Sequence, residues 1–258
     1  MKPHERIGQA LTAANEEGRT GLVPFITAGY PEPAEFIETL QAIATVGDVV
    51  ELGIPFSDPM ADGLTIQRSS FKAIEDGVTL RWIFEQLENA EHQIDAPLVM
   101  MSYLNPLMAY GYEQLADRAL QTGVCAFIVP DLPYEEGADI RNALEARGIG
   151  LIQLVTPATP DARLAMLAKA SRGFLYAVTV TGITGSDSGL PEGLAEYLDR
   201  VAAASTVPVC AGFGIRSSRD VTNVGNHVAG AIVGSALVEI LEQGGDPVSW
   251  LTGLTTPK

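Results

Sequence analysis

The chain has 258 residues, 47% of them hydrophobic and 19% charged, which suits one large domain with a full core or two small ones. Its formal net charge of −16 excludes a nucleic-acid or anionic-membrane surface, because either needs basic patches to displace counterions. No apolar run reaches about 18 residues, and the opening MKPHERIGQALTAANEEG carries charges at helical periodicity where a signal peptide would be apolar, so the expected location is the cytosol.

In chain order, an amphipathic opening helix leads to a strand over residues 22–28 and a helix over 34–46 with Phe36, Ile37, Leu40 and Ile43 on its apolar side. The second strand covers 48–52, helical segments follow over 65–76 and 79–91, the third strand covers 97–101 and a helix 112–122. Strand four is predicted over 124–129, a helix over 134–147, a strand over 150–155, a helix over 161–170 and a strand over 174–178. A glycine-rich loop, TGITGSDSGLP, then precedes a helix over 192–204. Strand seven covers 207–211, a short helix 217–224 and strand eight 230–233, and small helices finish the chain. Eight strand and helix pairs in about 250 residues predict a single α/β domain over 1–258, a (β/α)8 TIM barrel with an extra N-terminal helix and a short helix after strand eight. A doubly wound sheet is the alternative, but it calls for a GxGxxG turn after the first strand, where TAGYPEP stands. Cys125 and Cys210 lie in apolar, strand-like runs and read as buried thiols.

The stretch 51–67, ELGIPFSDPMADGLTIQ, reads as an active-site loop. Glu51 ends a short, β-branched, apolar run where burial costs a carboxylate several kcal/mol, so a charge kept there points to a task. Pro55 and Pro59 stiffen the turn beyond it, Gly53 and Gly63 permit unusual backbone angles, and Asp58 and Asp62 hang from this fixed loop.

In a barrel, function lies in the loops after the strands. AGFGIRS follows strand seven and VGSAL strand eight, so Gly214 and Gly234 allow close approach of the backbone while Ser235 opens a helix whose free N–H groups suit phosphate. Thr184 and Gly185 of the sixth loop would close the other side; tight turns and a serine cap would also account for these residues one by one. The four lysines, Lys2, Lys72, Lys169 and Lys258, lie away from the C-terminal strand ends, which argues against a Schiff-base aldolase. His4, His92 and His227 form no cluster suited to zinc. Carboxylates, Tyr103, Tyr176 and Thr184 remain at the catalytic ends, a set for proton transfer without metal or covalent intermediate.

The segments ELGIPFSDPMADGLTIQ, PDLPYEE, VTGITG, GFGI and VGSA stand in an order and spacing that resembles the tryptophan synthase α subunit family, and the resemblance runs from VPFITAGYP through essentially the whole chain. It implies a TIM barrel that cleaves indole-3-glycerol phosphate to indole and glyceraldehyde 3-phosphate in a retro-aldol reaction, with no cofactor in this chain. It also implies an α2β2 complex, in which a pyridoxal-phosphate β subunit receives the indole. By the same resemblance Glu51 is the general acid/base, Asp62 the carboxylate that accepts the indole N–H, and Tyr176 a tyrosine near the substrate that orients Glu51 or simply fills a barrel layer. Phe25, Met101, Ile128, Leu154 and Phe213 match apolar positions around the ring, and Thr184 the threonine that links a closing sixth loop to the carboxylates. Many relatives carry an arginine shortly after the second glycine of that loop, where this chain has Ser186, Asp187 and Ser188, so a lid contact made by a cation is in doubt. Asp58, Pro59, Asn105 and Pro133 match the face that meets the β subunit. The other functions left open are a free-standing indole-releasing lyase, another phosphate-binding barrel enzyme, and a non-catalytic activator of the β subunit.

Overall fold

The computed structural model describes residues 1–90, 94–179, 190–212 and 214–255. Eight short parallel strands close in sequence order, with the last pairing back onto the first. They are β1 (Gly21–Thr27), β2 (Val50–Gly53), β3 (Leu98–Met101), β4 (Val124–Ile128), β5 (Gly150–Val155), β6 (Leu175–Val178), β7 (Val209–Gly212) and β8 (Gly230–Val233). Around them stand α2 (Phe36–Ala44), α3 (Leu64–Glu75), α4 (Leu80–Glu88), α5 (Leu104–Tyr110), α6 (Tyr112–Gln121), α7 (Ala138–Glu145), α8 (Asp161–Ala170), α9 (Leu194–Ala204), α10 (Ser218–Gly225), α11 (Ser235–Glu242) and α12 (Pro247–Thr252), preceded by α1 (Pro3–Glu16). The expected (β/α)8 barrel, its opening helix and the short helix after the eighth strand are all present.

The period of two along each strand divides the core. Leu22, Ile26, Val50, Leu52, Leu175, Ala177, Ala231 and Val233 face outward into the layer shared with the helices. Val23, Val49, Val99, Ile128, Ile152, Tyr176, Cys210 and Ile232 face inward and fill the barrel. Ile7 and Leu11 of α1 join this inner cluster. The Leu11 side chain lies 2.7 Å from where a Cβ on Gly21, the first residue of β1, would stand, so α1 plugs the end at which the strands enter. Burying each of those two side chains contributes roughly 1.5–3 kcal/mol. The opposite mouth is left for chemistry.

Three elements differ from expectation. Helix α5 forms between the third strand and the helix expected over 112–122, where no element was predicted. The helix expected over 134–147 is a single 3-10 turn, Tyr134–Glu136, followed by α7, and the helix over 34–46 likewise begins as a 3-10 turn at Pro33–Glu35. No helix among the described residues is long and apolar enough to cross a membrane.

Candidate active site

Because Val50 and Leu52 point outward, Glu51 must point inward, between its register partners Phe25 on β1 and Val99 on β3. It is 1% exposed, and its Oε2 has no hydrogen-bond partner among the described residues. Burial first, and then the nearby charge of Asp62, push the carboxyl from 4.5 up to about 8. Glu51 therefore carries a proton at neutral pH, the state a general acid needs.

Asp62 sits on the loop between β2 and α3, and Tyr103 holds it in place. The phenol O–H donates to Asp62 Oδ2 at 3.1 Å while its oxygen accepts the Ala61 N–H at 2.8 Å. Phe56 stacks on the same ring with centroids 5.1 Å apart, and the Gln67 amide donates to the Asp62 carbonyl at 2.9 Å. Burial raises the Asp62 carboxyl above its ordinary value, and the bond from Tyr103 pulls it back down. Two carboxyls that share a cavity cannot both ionise freely, so the more deeply buried Glu51 keeps the proton and Asp62 the charge.

Two glycines shape the mouth by the same device. A Cβ on Gly53 would stand 2.4 Å from the Phe25 ring, and one on Gly212 would stand 2.1 Å from the Tyr176 hydroxyl. Each glycine lies two residues beyond the register partner of its aromatic residue, so each ring leans across a neighbouring strand that has no side chain there. Burial, then the Glu51 charge, holds the Tyr176 phenol well above its ordinary range, so it stays a neutral O–H. The register of β2 between β1 and β3 turns the Glu51 side chain toward the same interior as Tyr176.

On the far wall Gly214 adopts φ +82°, and Gly234 precedes α11, whose first N–H groups at Ser235, Ala236 and Leu237 have no acceptor within the helix. The next N–H, of Val238, bonds back to Gly234 at 3.1 Å. The arrangement suits an oxyanion, since the positive end of the helix faces the cavity.

One cavity brings Phe25, Glu51, Asp62, Met101, Tyr176, Gly214, Gly234 and Ser235 together. Ile66, Ile215, Arg216, Ile232 and Ala236 complete its walls and were not anticipated from the sequence. Ile128 and Leu154 belong to the packed interior below, and Leu154 also lines a separate cleft with Pro133 and Arg163. Thr184, Gly185 and Phe213, together with Ser186, Asp187 and Ser188, lie outside the described residues.

The family model described as Tryptophan synthase alpha chain matches residues 11–250. The chain is similar to the tryptophan synthase alpha chain of Nitratidesulfovibrio vulgaris (strain DP4), 42% identical over 95% of this chain and 96% of the relative. It is likewise 42% identical to that of Roseiflexus castenholzii over 92% of each chain. Among solved structures, it resembles Mycobacterium tuberculosis tryptophan synthase with a TM-score of 0.88 at 33% identity, covering 96% of both chains. It also resembles tryptophan synthase subunit alpha from Legionella pneumophila str. Paris with a TM-score of 0.87 at 30% identity, covering 98% of this chain and 97% of the other.

Proposed function

The chain belongs to the tryptophan synthase alpha chain family, and from that premise we propose that its cavity cleaves indole-3-glycerol phosphate to indole and glyceraldehyde 3-phosphate. The observation that carries this reading is the presence of a protonated Glu51 and a hydrogen-bonded Asp62 in one cavity, opposite the turns at Gly214 and Gly234–Ser235. Phosphate seats on the free N–H groups of those turns, and the indole ring lies against Phe25, Met101 and Tyr176. Its N–H donates to Asp62.

Glu51 gives its proton to indole C3, and the ring becomes an iminium cation whose charge sits near nitrogen. Asp62 stabilises that cation more than it stabilises the neutral substrate, which lowers the barrier. The bond from C3 to the side chain then breaks, its electron pair restoring the aromatic ring. The carbinol O–H becomes the aldehyde C=O and returns a proton to Glu51. Protons balance, and the enzyme ends as it began.

The product has a destination in this reading, a β subunit that holds pyridoxal phosphate and assembles with this chain as α2β2. Asp58 and Pro133 are exposed on the loops after β2 and β4 and Asn105 is exposed in the first turn of α5, while Pro59 is buried. Beside them Met60, Leu64 and Met108 are 84%, 77% and 57% exposed. Apolar side chains so placed, rimmed by polar ones, suit a protein partner. The test is indole release from indole-3-glycerol phosphate by the purified chain, alone and with a cognate β subunit. Release that rises with the partner is expected. Absence of indole under both conditions would overturn the reading, and full rates without the partner would make the chain a free-standing lyase.

A further inference from the structure

Arg216 is the one cation among the described residues that line the cavity, and neither proton transfer uses it. Its main chain is fixed, because its N–H and that of Ser217 both donate to Asp220 Oδ2, at 3.0 and 2.9 Å, in the capping box that starts α10. Its guanidinium is ion-paired with Glu239 of α11. Glu239 lies four residues after Ser235, so the two share a face of α11, and side chains on a helix tilt toward its N-terminus. The ion pair is thereby held beside the helix end whose first N–H groups have no acceptor within the helix. Glu239 also accepts the Thr65 hydroxyl at 3.2 Å, from the first turn of α3 just after Asp62.

A phosphate dianion entering this site meets a chain of net charge −16 and the Asp62 carboxylate. A helix end supplies about half an elementary charge against it. Resting on the assignment of this cavity to indole-3-glycerol phosphate, we infer that Arg216 reads the charge of the phosphoryl group. The guanidinium has five donors, enough to keep Glu239 and still donate to a phosphoryl oxygen. Glu239 positions the cation and tempers it, so the site selects phosphorylated ligands without holding them so tightly that product is retained.

Binding of indole-3-propanol phosphate, with indole as the uncharged control, tests this by calorimetry on the full chain. Arg216→Gln is expected to weaken the phosphorylated ligand about tenfold, the loss of one partly exposed charge-assisted bond, and to leave indole affinity unchanged. Arg216→Lys should recover part of the loss. The salt dependence of affinity should be shallower in Arg216→Gln than in wild type. Glu239→Gln, which keeps an acceptor for Arg216 and removes the opposing charge, should tighten the phosphorylated ligand about threefold. Equal affinity in wild type and Arg216→Gln, or a matching loss for indole, would overturn the inference; looser binding in Glu239→Gln would overturn the part given to Glu239. Wild type that fails to bind indole-3-propanol phosphate would instead remove the functional reading on which the inference rests.

Discussion

Replacing Glu51 with glutamine should make the protein more stable in alkali while abolishing its chemistry. The carboxyl is held at about 8 in the fold against 4.5 in a free chain, so the folded state prefers it protonated. Below pH 4.5 both folded and unfolded chains carry the proton and the site costs nothing. As pH rises from there toward 8 the unfolded chain releases the proton and the fold does not, so stability falls by about 1.4 kcal/mol per pH unit. The loss levels off above pH 8 at about 5 kcal/mol. Because Glu51 is 1% exposed, solvent screening does little to soften this figure. Glutamine cannot ionise and escapes the penalty; its buried amide adds only an offset independent of pH. Urea unfolding of both proteins from pH 5 to 9 reads the difference. The variant should gain on wild type steadily up to about pH 8 and no further, with turnover lower by at least about 10² throughout. A stability difference that stays flat across this range would refute the claim that Glu51 holds its proton in the fold.

Asp62→Asn should lower turnover by at least about 10² with substrate binding retained, since it removes charge the transition state needs. It should also let the Glu51 carboxyl titrate at lower pH, because the Asp62 charge is one cause of its elevation; a paired pH profile of wild type and variant checks the direction. Tyr103→Phe should cost about 1 kcal/mol through the lost bonds to Ala61 and Asp62, and should lower turnover about tenfold through a looser Asp62, measured by denaturation and steady-state kinetics together. Gly212→Ala places a Cβ 2.1 Å from the Tyr176 hydroxyl, so the ring must shift at a cost of about 1–3 kcal/mol, read as a lowered urea midpoint. A Cβ at Gly234 meets Phe25 at an ordinary 3.6 Å, so Gly234→Ala should fold as wild type does. Gly234→Asp should then weaken indole-3-propanol phosphate by at least about tenfold through its charge, with an unchanged unfolding midpoint.

The barrel was legible because buried parallel strands read as short apolar runs separated by helical periodicity, and β5, α8 and β8 fall at the predicted residues. Helix α5 was not, because Pro106 suggests a turn. It lies in the first helical turn, where the missing N–H has no acceptor to lose. Glu51 and Asp62 stood out from sequence because a carboxylate on a buried strand and one on a proline-stiffened loop are each costly without a purpose. The part Tyr103 plays was hidden, since its bonds to Ala61 and Asp62 join residues about 40 positions apart. Arg216 was hidden for a like reason. Beside GFGI it looks like an ordinary surface cation, and only the closing of β7 and β8 brings Glu239 against it. The pairing of Phe25 with Gly53 and of Tyr176 with Gly212 depends on strand register, which composition does not carry.

The most direct test is a crystal structure of the chain with indole-3-propanol phosphate bound. The ring N–H is expected within hydrogen-bond distance of Asp62, with C3 facing the Glu51 carboxyl and the phosphate on the N–H groups of Gly214, Gly234 and Ser235. A ligand whose nitrogen points away from Asp62, or whose phosphate lies off the start of α11, would contradict the proposed chemistry.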